Sequence, residues 1–152
     1  MFFGKGRWRV EVEARKGAIR SILIVEDEPL VAFDHEHHLE QAGYRVAGTV
    51  DSLEGAIAVL NGGGVDLIIA DVGLQGARGG IEVARVASER GVPVLFATAA
   101  CPVDARQWAV GCLAKPFSQR DLIAAIEAVE ALLANGEPSG VPPGMQIFPI
   151  LE

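Results

Sequence analysis

The stretch Ile22-Leu23-Ile24-Val25-Glu26-Asp27-Glu28-Pro29 decides the fold of this chain. Its first four residues are apolar and mostly β-branched, which is typical of a strand buried on both faces. Pro29 then favours the first turn of a helix, with the acidic residues close to the positive end of that helix. A buried strand that leads directly into a helix indicates the start of a strand–helix–strand unit.

The same alternation of apolar runs and helical segments continues along the chain to residue 134. The later predicted strands cover residues 44–50, 65–70, 94–98 and 111–114, and the predicted helices cover residues 30–42, 52–60, 81–90, 102–109 and 121–134. The fourth helix has room for only a short helical segment. Five strands alternating with five helices predict an α/β domain, in which a parallel sheet is covered by helices on both faces.

Length and charge exclude several classes of protein. The chain has 152 residues, half of them hydrophobic, which suits one domain (21–134) with short extensions at 1–20 and 135–152. The longest uncharged central stretch, 92–103, is too short and too broken by proline to span a bilayer. Residues 1–20 carry a net charge of +4 and residues 21–152 carry −11. An acidic body disfavours nucleic acid and suits a cation.

Each extension allows two interpretations. Residues 7–15 alternate apolar and charged side chains, which fits an extra edge strand or a loosely ordered basic leader. Residues 135–144 have the composition of a Pro/Gly linker. The apolar tail 145–151 either docks in a groove of its own body or of a neighbour, or is frayed. It is too short for an output domain, so we expect none to follow.

Polar side chains stand at or just after the ends of four predicted strands. Glu26 and Asp27 follow the first, Asp71 the third and Lys115 the fifth, while Thr98 ends the fourth. The carboxyl ends of parallel strands meet at one edge of a sheet, so these groups should converge there. Clustered carboxylates favour Mg²⁺, and a carboxylate can form an aspartyl phosphate. The lysine and the hydroxyl suit the oxygens of a transferred phosphoryl group.

This set of residues resembles the receiver domain of bacterial two-component response regulators, over about residues 21–133. The resemblance rests on four motifs in order, namely Ile24-Val25-Glu26-Asp27-Glu28-Pro29, Asp71 at a strand end, Thr98-Ala99 and Lys115-Pro116-Phe117. It implies a flavodoxin-like, doubly wound, five-stranded parallel sheet of order 2-1-3-4-5. It also implies that Asp71 is the phosphoacceptor, and that Mg²⁺ is bound by Asp27, Asp71, the backbone carbonyl of Gly73 and, through water, Glu26.

The same resemblance assigns the switch residues and shows where this chain departs from the family. Thr98 matches the switch hydroxyl, Lys115 matches the lysine that pairs with the phosphoryl group, and the Lys115–Pro116 peptide is expected to be cis. The fourth strand resembles the Phe-Ala-Thr-Gly-X-Tyr motif of a subgroup of single-domain regulators. Cys112 and Cys101 occupy the two positions at which an aromatic switch residue would stand, so neither form of that aromatic is present.

Compared with a typical receiver, the segment between Thr98 and Lys115 lacks about five residues, which is more than one helical turn of about 3.6 residues. This shortening predicts an atypical signalling surface. Trp108 lies in this segment, and its side chain either fills a place in the core or is exposed and anchors a partner.

The two cysteines cannot build a disulfide framework, so we expect reduced thiols and a cytoplasmic protein. On the first helix, His35 and His38 share a face with Asp34, which suits either a transition metal or, as we favour, an exposed polar face.

The sequence therefore predicts a stand-alone response regulator that accepts a phosphoryl group on Asp71 from a histidine kinase or phosphotransfer protein. It would signal through protein contacts, with a homodimer allowed by the apolar last helix, or act as a phosphate sink. It is not a classical enzyme, since only its own phosphorylation and dephosphorylation are catalysed. One alternative is a phosphorylation-independent interaction module on the same scaffold. Another, a flavodoxin-like small-molecule binder, is disfavoured because Glu26 to Glu28 would repel phosphates.

Overall fold

The computed structural model describes residues 18–74 and 78–149, so the edge strand predicted at 7–15 lies outside the described residues. Within these described residues, six strands and four α-helices follow one another, with a 3-10 turn in place of a helix between the fourth and fifth strands. The strands are β1 Ser21–Val25, β2 Arg45–Val50, β3 Leu67–Ala70, β4 Val94–Thr98, β5 Gly111–Ala114 and β6 Met145–Ile147. The helices are α1 Pro29–Gln41, α2 Leu53–Asn61, α3 Gly79–Glu89 and α4 Gln119–Asn135.

The strands form one sheet in the order β2-β1-β3-β4-β5-β6. Strands β1 to β5 pair in parallel, so the predicted order 2-1-3-4-5 is confirmed. The predicted number of strands is wrong by one, because β6 adds to β5 in antiparallel orientation. The extra strand is formed by residues 145–147 of the C-terminal tail, so this part of the tail docks on its own body.

Helices cover both faces of the sheet, as predicted. On one face, α1 packs over β1 and β2 and α4 packs over β5, with Leu39 and Ile126 fully buried in the same apolar cluster as Ile24. On the other face, α2 and α3 bury Ala56 and Val83. Since alternate residues of each strand point to opposite faces, strands covered on both sides need continuous apolar runs. This is the pattern seen in β1, β3 and β4, whose residues are all buried.

The predicted fourth helix is shortened to a single 3-10 turn at Arg106–Trp108. Trp108 is half-buried against the core beneath α3. Strand β6 lies along β5 instead, and Phe148 after it is buried in the same core. A Cβ at Gly111 would lie 2.6 Å from the carbonyl oxygen of Gln146, so glycine is required for this close strand pairing.

One prediction about the cysteines is wrong. Cys101 in the loop after β4 and Cys112 in β5 form a disulfide, although they were expected to be reduced. The two residues are 11 apart in sequence, and their Cα atoms are 5.9 Å apart because the loop turns back into the neighbouring strand. Separately, none of the helices within residues 18–74 and 78–149 is long and apolar enough to cross a membrane.

Candidate phosphoacceptor and metal site

The acidic residues meet at the carboxyl edge of the sheet because β1 and β3 are neighbours in register. Val25 pairs with Ala70, and the backbone N–H of Asp71 donates to the carbonyl of Val25 at 3.1 Å. The residues that follow these strand ends are Glu26 and Asp71. The carboxyl groups therefore lie side by side although the two residues are 45 positions apart in sequence.

Three carboxylates form the cluster. Glu26, Asp27 and Asp71 each offer an oxygen, and these oxygens lie within 4.8 Å of one another. Glu26 is buried, with 4% of its surface exposed, while Asp27 and Asp71 are half-buried. A set of hard oxygen donors that is open on one side is what Mg²⁺ prefers in proteins, since this ion keeps several waters. The donors present therefore fit Mg²⁺, and Asp27 and Asp71 are the two more accessible carboxylates.

Lys115 brings a positive charge to the same cluster from the end of β5. Its backbone N–H donates to the carbonyl of Thr98 at 2.8 Å, which holds the backbone of Lys115 beside the end of β4. Its Nζ donates to Glu26 Oε1 at 3.1 Å and to Asp71 Oδ2 at 3.3 Å. The peptide bond between Lys115 and Pro116 is cis. Lys115 thus bridges the buried carboxylate and the carboxylate expected to accept the phosphoryl group.

The pKa values of Glu26 and Lys115 are both raised, for different reasons. Burial raises the pKa of Glu26, and this effect outweighs the hydrogen bonds from Glu28 and Lys115. For Lys115, burial lowers the pKa, but the hydrogen bonds and charges of Glu26 and Asp71 outweigh it, so the pKa is raised. The ammonium is therefore retained at neutral pH and is available to stabilise oxyanions.

Asp71 is oriented by the loop that follows it. Oδ1 of Asp71 accepts the backbone N–H of Gly73 at 3.0 Å, and the carbonyl of Asp71 accepts the N–H of Leu74 at 3.3 Å. Leu74 is buried and anchors this loop against α3. Gly73, expected from the resemblance to offer a carbonyl to the metal, is exposed beside the carboxylate. The other predicted switch residue, Thr98, is buried at the end of β4, where it pairs with Ala114.

His35 differs from its prediction. An exposed helix face was favoured for His35 and His38, but the surface of His35 is only 4% exposed, because α1 turns it toward the start of α4. Its ring stacks on Phe117 with centroids 5.7 Å apart. The Gln119 amide donates to Asp34 and, at 3.2 Å, to Nδ1 of His35. The neutral ring then carries its proton on Nε2, which is buried without a hydrogen-bond partner.

This buried ring predicts a pH dependence of stability. Burial lowers the pKa of His35 below its usual 6.5, and the nearby Lys115 charge adds to the effect. The unfolded chain therefore binds a proton at a higher pH than the folded chain does. The free energy of unfolding should fall as the pH drops from 7 through 6.5, by at most about 1.4 kcal/mol per pH unit.

Urea unfolding at pH 7 and pH 5.5 measures this slope. His35→Phe, which keeps a ring against Phe117, should flatten it, whereas the same substitution at exposed His37 should leave it unchanged. An equal slope in the wild type and in His35→Phe would contradict the assignment to His35.

Comparisons with known proteins identify the family of this chain. Residues 22–127 match the family model described as "Response regulator receiver domain". Over 114 residues, 71% of this chain, the sequence is 38% identical to the transcriptional regulatory protein PdtaR of Mycobacterium tuberculosis, of which 55% is covered. It is 37% identical to the transcriptional regulatory protein YvrH of Bacillus subtilis, with 71% of this chain and 48% of that protein covered. The chain thus spans about half the length of these relatives.

Solved structures give the same result. The solution structure of SdrG from Sphingomonas melonis Fr1 aligns with a TM-score of 0.61 and 37% identity, over 72% of this chain and 94% of that one. A CheY-like receiver domain protein from Methanospirillum hungatei aligns with a TM-score of 0.68 over 78% of this chain and 98% of that one, and at 21% identity it supports the fold alone. Together, the family match, the relatives and the strand-end site show that this chain belongs to the response regulator receiver domains of two-component signalling.

Proposed function

We propose that the chain accepts a phosphoryl group on Asp71 in a Mg²⁺-dependent step. The observation that carries the proposal is the position of Asp71, half-buried at a strand end between two other carboxylates and the Lys115 ammonium. Receiver domains bind Mg²⁺ through acidic residues, and the cluster of Glu26, Asp27 and Asp71 matches that requirement. The direct ligands would be Asp27, Asp71 and the backbone carbonyl of Gly73, with Glu26 acting through water.

The residues of the site support an in-line displacement at phosphorus. A carboxylate oxygen of Asp71 forms the new O–P bond while the bond between phosphorus and the donor breaks, and the donor departs with its electron pair. The Gly73 N–H and Lys115 Nζ hold the Asp71 carboxylate in a fixed orientation. When bound, Mg²⁺ would supply positive charge to the phosphoryl oxygens. Lys115 supplies a second positive charge, and we assign Thr98 the switch hydroxyl that approaches the phosphoryl group.

The donor would be a histidine kinase or a histidine phosphotransfer protein, since receiver domains interact with these proteins. We place the protein in the cytoplasm and propose that its signal leaves by contact with another protein or with a second copy. The changed surface at β5, where a 3-10 turn and β6 replace a full helix, is the part of the domain that would set partner specificity.

An acetyl phosphate experiment tests the proposal. The wild type is incubated with acetyl phosphate and Mg²⁺, and its intact mass is recorded with and without excess EDTA. We expect a gain of one phosphoryl group that depends on Mg²⁺. No gain, or an equal gain in the presence of EDTA, would overturn the proposal.

The changed β5 surface also favours a second candidate function, a phosphorylation-independent interaction module. The two functions differ in one respect that can be measured. If phosphorylation controls output, the affinity for a partner changes when the wild type is phosphorylated. An affinity that is the same for the phosphorylated wild type, the unphosphorylated wild type and Asp71→Asn would favour the second function.

A further inference from the structure

The disulfide joins the two segments that carry the switch threonine and the site lysine. Cys101 stands three residues after Thr98, and Cys112 stands three residues before Lys115. The bond therefore ties the loop 99–110 to β5, the strand that leads to Lys115. Because the proposed function has Thr98 approach the phosphoryl group, a covalent bond at this place restrains the segment that follows Thr98.

Apart from this bond, the loop is held mainly by side-chain packing, with Pro102 buried and with Trp108 and Ala109 against the core. Its regular structure is one 3-10 turn, and Val103 and Asp104 are exposed. The ion pair between Arg78 and Asp104, at 2.8 Å, lies on the surface, where such pairs contribute little. Ala105 is buried, and Arg106 lies over the ring of Phe148 at 5.3 Å. A segment with one short 3-10 turn and an exposed stretch at 103–104 opens more readily when its covalent anchor is removed.

The two sulfur atoms differ in access to solvent. Cys112 is fully buried in the core, whereas Cys101 is half-buried at the surface of the loop. A thiolate in solution can therefore reach the Cys101 sulfur first, leaving Cys112 as the departing thiolate. The core keeps its shape after the bond breaks, because a buried cysteine packs as a small apolar side chain.

We propose that Cys101 and Cys112 form a redox-reversible modification site, and that their redox state sets the mobility of the loop 99–110. Reduction takes two electrons from a small thiol or dithiol, whose thiolate attacks the Cys101 sulfur and breaks the S–S bond. A second thiol group of the reductant resolves the mixed disulfide, the reductant ends as a disulfide, and both cysteines end as thiols. Oxidation by a disulfide of the same class runs the reverse exchange.

A consequence for the site rests on the proposed function. With the bond closed, the segment after Thr98 is tethered, so the arrangement that favours a phosphoryl group on Asp71 is harder to reach. Oxidised protein should therefore take label from acetyl phosphate several-fold more slowly than reduced protein. In the cytoplasm, where disulfides are mostly reduced, the bond would form under oxidising conditions and slow the response.

The test compares the full chain after treatment with oxidised or reduced dithiothreitol. We expect a Cys101–Cys112 crosslinked peptide in the first sample, and two free thiols with unchanged circular dichroism in the second. Amide hydrogen exchange in residues 99–110 should be about tenfold faster in the reduced sample. A bond that does not form, a fold lost on reduction, or equal exchange in both samples would overturn the proposal.

The Cys101→Ser variant is the matched control, because it removes the bond at the half-exposed position and leaves the core cysteine in place. It should exchange and take label like the reduced wild type, whatever the redox treatment. Equal labelling of the oxidised and reduced wild type would overturn the link to phosphorylation. Absence of label in both samples would contradict the proposed function, and the exchange measurement would still decide the redox site.

Discussion

Asp71→Asn should abolish Mg²⁺-dependent labelling by acetyl phosphate while leaving the protein folded. The amide keeps the shape of the carboxylate but is a poor nucleophile toward phosphorus. It also removes one of the charges that repel Glu26, while Lys115 keeps its 3.1 Å contact with Glu26. We therefore expect the free energy of unfolding to change by no more than about 1 kcal/mol.

Asp51→Asn is the matched control for this variant. Asp51 directly follows β2 and is exposed, so it is also a strand-end aspartate, but it does not belong to the carboxylate cluster. It should take label at the rate of the wild type, as intact mass will show. Labelling of Asp71→Asn at the same rate, or loss of label in Asp51→Asn, would place the acceptor elsewhere.

Gly80→Ala should be the most destabilising single-methyl change in the site. A Cβ at Gly80 would collide with the carbonyl oxygen of Asp71, and it would lie 2.7 Å from the carbonyl carbon of Asp71 and 2.8 Å from Cα of Val72. These are backbone atoms, which cannot rotate away as a side chain can. We expect a loss of about 3 kcal/mol in the free energy of unfolding, measured with urea. The folded fraction should also label more slowly, since relieving the clash moves Asp71.

Gly62→Ala offers a comparison at another glycine. Gly62 ends α2 with a φ of −76°, and its nearest contact for a Cβ, the carbonyl oxygen of Val59, is 3.4 Å away. A change within about 0.5 kcal/mol is expected there. Equal and small effects at both glycines would show that the backbone does not approach α3 as closely as described.

The features that could be predicted from the sequence are those carried by local patterns. Continuous apolar runs such as Leu67–Ala70 identify strands buried on both faces, and the polar residue after each strand can then be placed at one edge. The approach of Glu26, Asp71 and Lys115 follows from the parallel order of β1, β3 and β5. The proximity of these three residues could be predicted from the strand order without knowing how side chains pack.

The features that escaped prediction depend on contacts between distant residues. Strand β6 has three residues and no detectable period, and its pairing with β5 needs the close backbone approach that Gly111 allows. The cysteine pair becomes visible only when the loop after β4 is seen to turn back beside β5. The burial of His35 depends on the position of α4, which the α1 sequence does not contain. The one sequence signal for the β6 pairing was Gly111, because a glycine within a strand often marks the close approach of another backbone.

Chemical mapping of the acceptor tests the central claim most directly. The wild type is phosphorylated with acetyl phosphate and Mg²⁺, the aspartyl phosphate is reduced with borohydride to homoserine, and the peptides are sequenced by mass spectrometry. We predict homoserine at position 71 in the labelled protein, and an unmodified aspartate there when Mg²⁺ is withheld. Homoserine at another acidic residue, or an intact Asp71 in protein that carries the label, would contradict the account.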